Sequence, residues 1–124
     1  MRYLLDTHTL LWWLENDKRL KNTFKKVISN PKNVIYISVV SGWEISIKQK
    51  KGKLPLKTTV RECFEKSHFE TIPITVDHIL RQDKLPMHHK DPFDRMLISQ
   101  AKEENLILVT NDEKIKRYSV KTLS

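Results

Sequence analysis

The chain of 124 residues contains only two glycines, Gly42 and Gly52, and a single cysteine, Cys63. Neither glycine sits in a G-x-G-x-x-G turn or a phosphate-cradling P-loop, which excludes nucleotide binding by those routes. One cysteine cannot close an intramolecular disulfide, in keeping with a reducing, cytoplasmic compartment. Cys63 stands beside Phe64 in a helix-like pattern and reads as a buried structural thiol. No apolar run approaches the length of a membrane span. Asp6 interrupts the N-terminal apolar stretch too early for a signal peptide. Low-complexity segments, long linkers and internal repeats are missing as well. Acidic residues are the minority charge, 15 against 23 lysines and arginines, for a formal net charge of +8. That surplus suggests a polyanionic partner, with nucleic acid the first candidate.

What is present is a regular alternation of short apolar runs and longer amphipathic ones. The length fits one domain over residues 1–124, with a core that needs no disulfide or metal staple. "RYLL" (2–5), "VIYI" (34–37), "FETIPI" (69–74) and "LILVT" (106–110) read as strands, and "SVKTL" (119–123) as a last short run. Between them, helical spacing runs through residues 7–16, 18–29, 39–53, 59–68, 76–85 and the segment that begins at Asp91. "NDEKIKRY" (111–118) reads as a short final helix. Ser38, Thr75 and Asp91 sit at N-cap positions, and Pro92 suits a first helical position. Gly52, with lysines before it, closes the helix that begins at Val39. Apolar strands alternating with helices predict an α/β domain around a mainly parallel sheet of four to five strands. In such sheets, ligands bind beyond the carboxyl ends of the strands.

The polar residues at those strand ends are acids. Asp6 directly follows "RYLL", and Asp112 follows "LILVT" within "TND". Glu44 falls in the first two turns of the helix after "VIYI". Asp91 and Asp94 open the helix of "HHKDPFDRMLISQ". Each acid alone has an ordinary explanation as a cap or surface residue. Together they would crowd negative charge at one sheet edge, at a cost unless a cation or proton offsets it. Clustered hard oxygens are what Mg²⁺ or Mn²⁺ requires. An acidic metal site in a basic protein suits an enzyme that holds a phosphodiester by its backbone and cuts it at the metal.

In the segments "LLDTHTLLWWL", "ISVVSGWEISIKQKKGKL", "HHKDPFDRMLISQA" and "LILVTND", in that order, the chain resembles the PIN-domain ribonucleases, and among them toxins of the VapC type. The resemblance implies a PIN-like three-layer α/β/α sandwich and a Mg²⁺- or Mn²⁺-dependent endoribonuclease. It further implies water attack that leaves a 5′-phosphate and a 3′-hydroxyl, a small antitoxin that blocks the site, and a toxin homodimer, alone or within a hetero-oligomer. The family's four acids fall on Asp6, Glu44, Asp94 and Asp112, and its hydroxyl position on Thr110. Asp6 and Asp94 are expected as direct ligands, with Glu44 and Asp112 completing the shell or handling the attacking water.

Other residues carry weaker expectations. Asp91 is chiefly a cap. Arg95 reads either as a phosphate contact or as a surface arginine pairing within its helix. His88 and His89 are set aside as zinc ligands, because adjacent side chains point apart and no cysteine or third histidine stands nearby. Trp12, Trp13 and Trp43 read mainly as core, with one of them free to line a partner groove. The lysine-rich run 47–57 reads as a solvated face or an RNA-guiding patch. Two other function classes stay open: a metal-dependent DNA nuclease or phosphatase, and a non-catalytic basic RNA-binding module.

Overall fold

A computed structural model describes residues 1–54 and 59–124. Among the described residues the sheet has five strands, parallel at every pairing, which run across it in the order Glu70–Ile72, Val34–Ser38, Arg2–Leu5, Ile107–Val109 and Thr122–Leu123. The strands are β1 (Arg2–Leu5), β2 (Val34–Ser38), β3 (Glu70–Ile72), β4 (Ile107–Val109) and β5 (Thr122–Leu123). The helices are α1 (Thr7–Leu14), α2 (Asn22–Ser29), α3 (Val39–Lys50), α4 (Val60–Ser67), α5 (Val76–Asp83) and α6 (Pro92–Glu103).

The central strand shows why the sheet has two covered faces. Successive side chains of a strand point to opposite sides. Tyr3 and Leu5 join Leu10, Phe24, Ile35, Ile37 and Ile45 in one core cluster. Leu4 joins Val40, Ile72, Leu97, Ile98 and Leu108 in the other. A strand buried on both faces must be apolar without alternation, which is how "RYLL" reads. Helices α1 and α2 cover the first face, and α6 covers the second with α5 packed on it. These layers are the α/β/α sandwich expected from the sequence.

The caps form as their residue types dictate. Ser38 Oγ accepts from the Val40 N–H, and Thr75 Oγ1 from the His78 N–H. Gly52 adopts φ +67°, and its N–H and that of Lys53 donate to the Gln49 and Lys48 carbonyls, a Schellman closure of α3. Pro73 ends β3 at Ile72, because proline offers no donor to the ladder.

Two elements differ from the sequence reading. The second helix starts at Asn22, not Lys18. Asp17 holds the preceding residues in a turn, accepting from Arg19 N–H through its side chain and from Leu20 N–H through its carbonyl. The expected helix 111–118 is only a 3-10 turn, Ile115–Arg117. In that turn Ile115 and Tyr118, three apart, both reach the second core, which suits a threefold spiral better than an α-helix. The lysine-rich run extends to residue 57, and its part from 55 to 57 lies outside the described residues.

Leu4 is fully buried at the middle of the sheet. Leu4→Ala is therefore expected to cost about 2–5 kcal/mol of unfolding free energy, measured by urea denaturation.

Candidate active site

Strand order places the site. The chain moves outward from β1 to β2 and β3, then returns to add β4 and β5 on the other side of β1. The switch point lies between β1 and β4, where a parallel sheet opens a crevice beyond its carboxyl ends. Asp6 follows β1 there, and Thr110, Asn111 and Asp112 follow β4. A cleft of about 210 Å³ occupies this place, lined by Asp6, His8, Thr9, Trp12, Asp94, Asn111 and Asp112.

Asp6 is pinned from several sides and is only 5% exposed. Its N–H donates to the Val109 carbonyl at 3.2 Å, tying the two strand ends together. Its Oδ1 caps α1 by accepting from the Thr9 N–H at 2.9 Å, and the Thr110 side chain also bonds its carboxylate. Burial pushes the carboxyl above its ordinary range, and the hydrogen bonds from Thr110 and Thr9 oppose that. Thr110 thus reaches the position expected of it, and it also accepts from the Asp112 N–H at 3.0 Å.

At the start of α6, Asp91 is the N-cap, with Oδ1 accepting from the Phe93 and Asp94 N–H groups at 2.8 and 3.2 Å. Asp94 is one turn in. Its carboxyl is raised to about 7, first by burial and then by the charge of Asp91. Hydrogen bonding from His89 opposes the rise, while Asp6 and Glu44 add to it. Three acids from β1, α3 and α6 therefore sense one another.

Glu44 is 2% exposed. Lys48, one turn later on α3, donates to its Oε2 at 2.6 Å. Its Oε1 is buried and has no hydrogen-bond partner among the described residues. A buried carboxylate oxygen left bare is costly, and a bound cation would relieve it.

The sequence reading sets His89 aside, yet the fold brings it to the acids. Its Nε2 lies 2.8 Å from Asp94 Oδ2 and 3.6 Å from Asp112 Oδ2. His89, Asp94 and Asp112 offer donor atoms all within 4.8 Å of one another, the spacing of a possible metal group. His88 does point elsewhere, packing edge-on against Tyr118 at 5.1 Å. The adjacent pair diverges as expected, but one member faces the acids. His89 and Asp94 are five positions apart, so neither helical nor strand periodicity signals the contact; the fold of the loop makes it. Asn111, with a buried unpartnered Oδ1, is a cleft residue that the sequence reading did not weigh.

Arg95 is neither a phosphate contact nor a surface arginine. It is 6% exposed, and its guanidinium donates to the Gln82, Leu85 and Pro86 carbonyls and to the Tyr118 hydroxyl. All three carbonyls lie in the last turn of α5 or just beyond it, at the end of the helix where a cation is favoured. Arg95 is a clamp on the loop that leads to His89. The tryptophans divide: Trp12 lines the cleft, Trp13 packs on the first core, and Trp43 is 59% exposed with its ring edge-on to Phe93 at 5.1 Å.

The cleft gathers hard carboxylate oxygens, Glu44 adds a bare buried oxygen, and the Asp94 carboxyl is raised beside other acids, so the set fits a divalent cation. The family model of the PIN domain matches residues 3–121. The chain belongs to the PIN-domain family. It is 25% identical over 118 residues to Ribonuclease VapC22 of Mycobacterium tuberculosis, covering 93% of this chain and 90% of that protein. Its fold resembles VapBC2 of Rickettsia felis, solved bound to a DNA fragment from the promoter, with a TM-score of 0.73, 21% identity and coverage of 99% and 98% of the two chains. It also resembles a toxin–antitoxin complex from Klebsiella pneumoniae, with a TM-score of 0.68, 21% identity and coverage of 98% and 96%. No helix among the described residues is long and apolar enough to cross a membrane.

The raised Asp94 carboxyl sets a pH dependence for the metal-free protein. Between its ordinary value of 3.8 and about 7, the folded chain keeps a proton that the unfolded chain releases. Stability must therefore fall as pH rises through that window. Asp94→Asn is expected to flatten the fall and to raise the melting temperature at pH 8 in EDTA. Asp91→Ala is expected instead to cost about 0.5–2 kcal/mol through lost capping. Thermal melts of the three proteins from pH 4 to 8 check both outcomes.

Proposed function

We propose that the chain is a single-domain, metal-dependent endoribonuclease of the VapC type, whose Asp6, Glu44, Asp94 and Asp112 hold Mg²⁺ or Mn²⁺ and direct water at an RNA phosphodiester. The observation that carries this reading is the cleft beyond β1 and β4 that brings Asp6, Asp94 and Asp112 together, with the Asp94 carboxyl raised beside Asp91, Asp6 and Glu44. A protein of net charge +8 that gathers its acids in one cleft has a use for them that surface solubility does not explain. The similarity to a named VapC ribonuclease over nearly the whole chain supports the RNA substrate.

Bound among these acids, the cation supplies Lewis acidity, a lowered pKa for water, and charge neutralisation at phosphate. The chain's residues do the rest. Asp6, held by Thr9 and Thr110, and Asp94, on the first turn of α6, present fixed carboxylates. Glu44 is fixed at one oxygen by Lys48 with its Oε1 buried, and either it or Asp112, which lines the cleft, takes the proton of the attacking water. Asp112 completes the acid ring from the β4 side. The P–O3′ bond breaks as the water oxygen bonds to phosphorus, and the departing 3′ oxygen takes up a proton from solvent, leaving a 5′-phosphate and a 3′-hydroxyl. Lysines outside the cleft hold the RNA backbone.

The partners follow from the same kinship. The similar folds were solved as VapBC or toxin–antitoxin complexes, which supports a small antitoxin partner, placed here over the acid cleft; the toxin homodimer follows from the resemblance to VapC toxins alone. The compartment is the cytoplasm, where RNA is found and a lone thiol stays reduced.

The purified chain is expected to cleave RNA with Mg²⁺ or Mn²⁺, to stop in EDTA, and to lose at least about 100-fold in rate with Asp6→Asn or Asp94→Asn, a size in line with electrostatic and metal-centred catalysis. Cleavage that survives EDTA or Asp6→Asn contradicts the proposal. Faster turnover of DNA or of a phosphomonoester favours a different phosphoryl-transfer enzyme.

A further inference from the structure

The described residues place one imidazole between two of the acids. The Nε2 of His89 lies 2.8 Å from Asp94 Oδ2 and 3.6 Å from Asp112 Oδ2, and the side chain is 10% exposed. The other ring nitrogen, Nδ1, is buried without a hydrogen-bond partner among the described residues.

That asymmetry locates the ring proton. A proton on Nδ1 would be a buried donor with no acceptor, and would leave a bare Nε2 lone pair against carboxylate oxygens. A proton on Nε2 makes a hydrogen bond to Asp94 instead. The same asymmetry argues against His89 as a metal ligand. A ligating histidine almost always donates its second ring N–H to an acceptor that fixes its orientation, and Nδ1 has none.

The ring's placement is secured through the main chain. The His89 N–H donates to the Tyr118 hydroxyl at 3.0 Å. That hydroxyl donates to the Pro86 carbonyl at 2.7 Å and accepts from Arg95 at 3.1 Å. Arg95 also holds the Gln82, Leu85 and Pro86 carbonyls. The loop from α5 to α6 is thereby tied at both its start and its end. Arg95 and Asp94 are neighbours on α6, so one helix turn fixes the loop and receives its histidine.

We propose that His89 is a positioning residue of the acid centre: its Nε2–H holds Asp94 Oδ2 in place and leaves the other oxygen of Asp94 as the donor to a divalent cation. The Arg95–Tyr118 clamp is what keeps that donor at the right depth. The proposal rests on reading the four acids as a divalent-cation centre.

Mn²⁺ alone, titrated into the full chain without RNA and followed by the electron paramagnetic resonance of the free ion, tests it. His89→Ala is expected to bind Mn²⁺ about 10–100-fold more weakly, the usual cost of removing a group that orients a metal ligand. His89→Gln, which keeps an N–H donor on a side chain of similar reach, is expected to recover most of the loss. If His89→Ala does not fold, His89→Leu fills the space without a donor and gives the same comparison with His89→Gln. Unchanged Mn²⁺ affinity in the donor-less variant overturns the proposal. So does a loss that glutamine fails to restore, which would mark packing. Nitrogen coupling from an imidazole to the bound Mn²⁺ overturns it too, by making His89 a ligand. A wild-type chain that takes up no Mn²⁺ overturns the metal reading itself and is thereby told apart from failure of this inference alone.

Discussion

Carboxylates gathered in a buried cleft repel one another, and each also resists leaving water. Asp6, Glu44 and Asp94 carry both costs, and the surrounding structure is arranged to keep them together. Asp6 cannot retreat, because its N–H joins the end of β4, its carboxylate caps α1, and the Thr110 side chain bonds it. Asp94 cannot retreat, because Asp91 and Pro92 fix the helix turn that carries it. Burial alone raises the Asp6 carboxyl, and burial together with the charges of Asp91, Asp6 and Glu44 raises that of Asp94. A fold that preserves such repulsion in its metal-free form has a site shaped for positive charge.

The protein supplies partners for two of these acids itself. Lys48 answers one oxygen of Glu44, and His89 answers one oxygen of Asp94. Both partners leave a second carboxylate oxygen uncommitted in the same bond. Arg95, by contrast, spends its charge on carbonyls at the end of α5 and on Tyr118. It steadies the scaffold and contributes nothing directly to the cleft. A basic residue beside an acid in sequence can thus belong to a different structural task.

Much of this was legible before any coordinates. The unbroken apolar "RYLL" announces a strand buried on both faces, and parallel order then puts Asp6 at its carboxyl end. The Asp91–Pro92 pair announces a helix start, and Ser38 and Thr75 announce two more. Those signals are local, so short-range chemistry suffices to read them. The approach of His89 to Asp94 and the burial of Arg95 are not local. Both depend on how the loop after α5 folds back under Tyr118, a residue more than twenty positions away from each, whose hydroxyl the sequence gives no reason to single out. The 3-10 turn at Ile115 was missed for a similar reason. Its shape follows from where Ile115 and Tyr118 must reach the core, and helical propensity does not encode that.

The central claim is that these acids, held together against their own repulsion, form one divalent-cation site. A ligand that binds only the folded state raises stability by RT ln(1 + [L]/Kd), about 2.7 kcal/mol at a hundredfold excess over Kd. The most direct measurement is the melting temperature of the wild-type chain against Mn²⁺ concentration at pH 8, beside the Asp6→Asn and Asp94→Asn double variant. The account predicts a saturable rise in the wild type and a flat response in the double variant. A wild-type melting temperature indifferent to Mn²⁺, or an equal rise in both proteins, would contradict it.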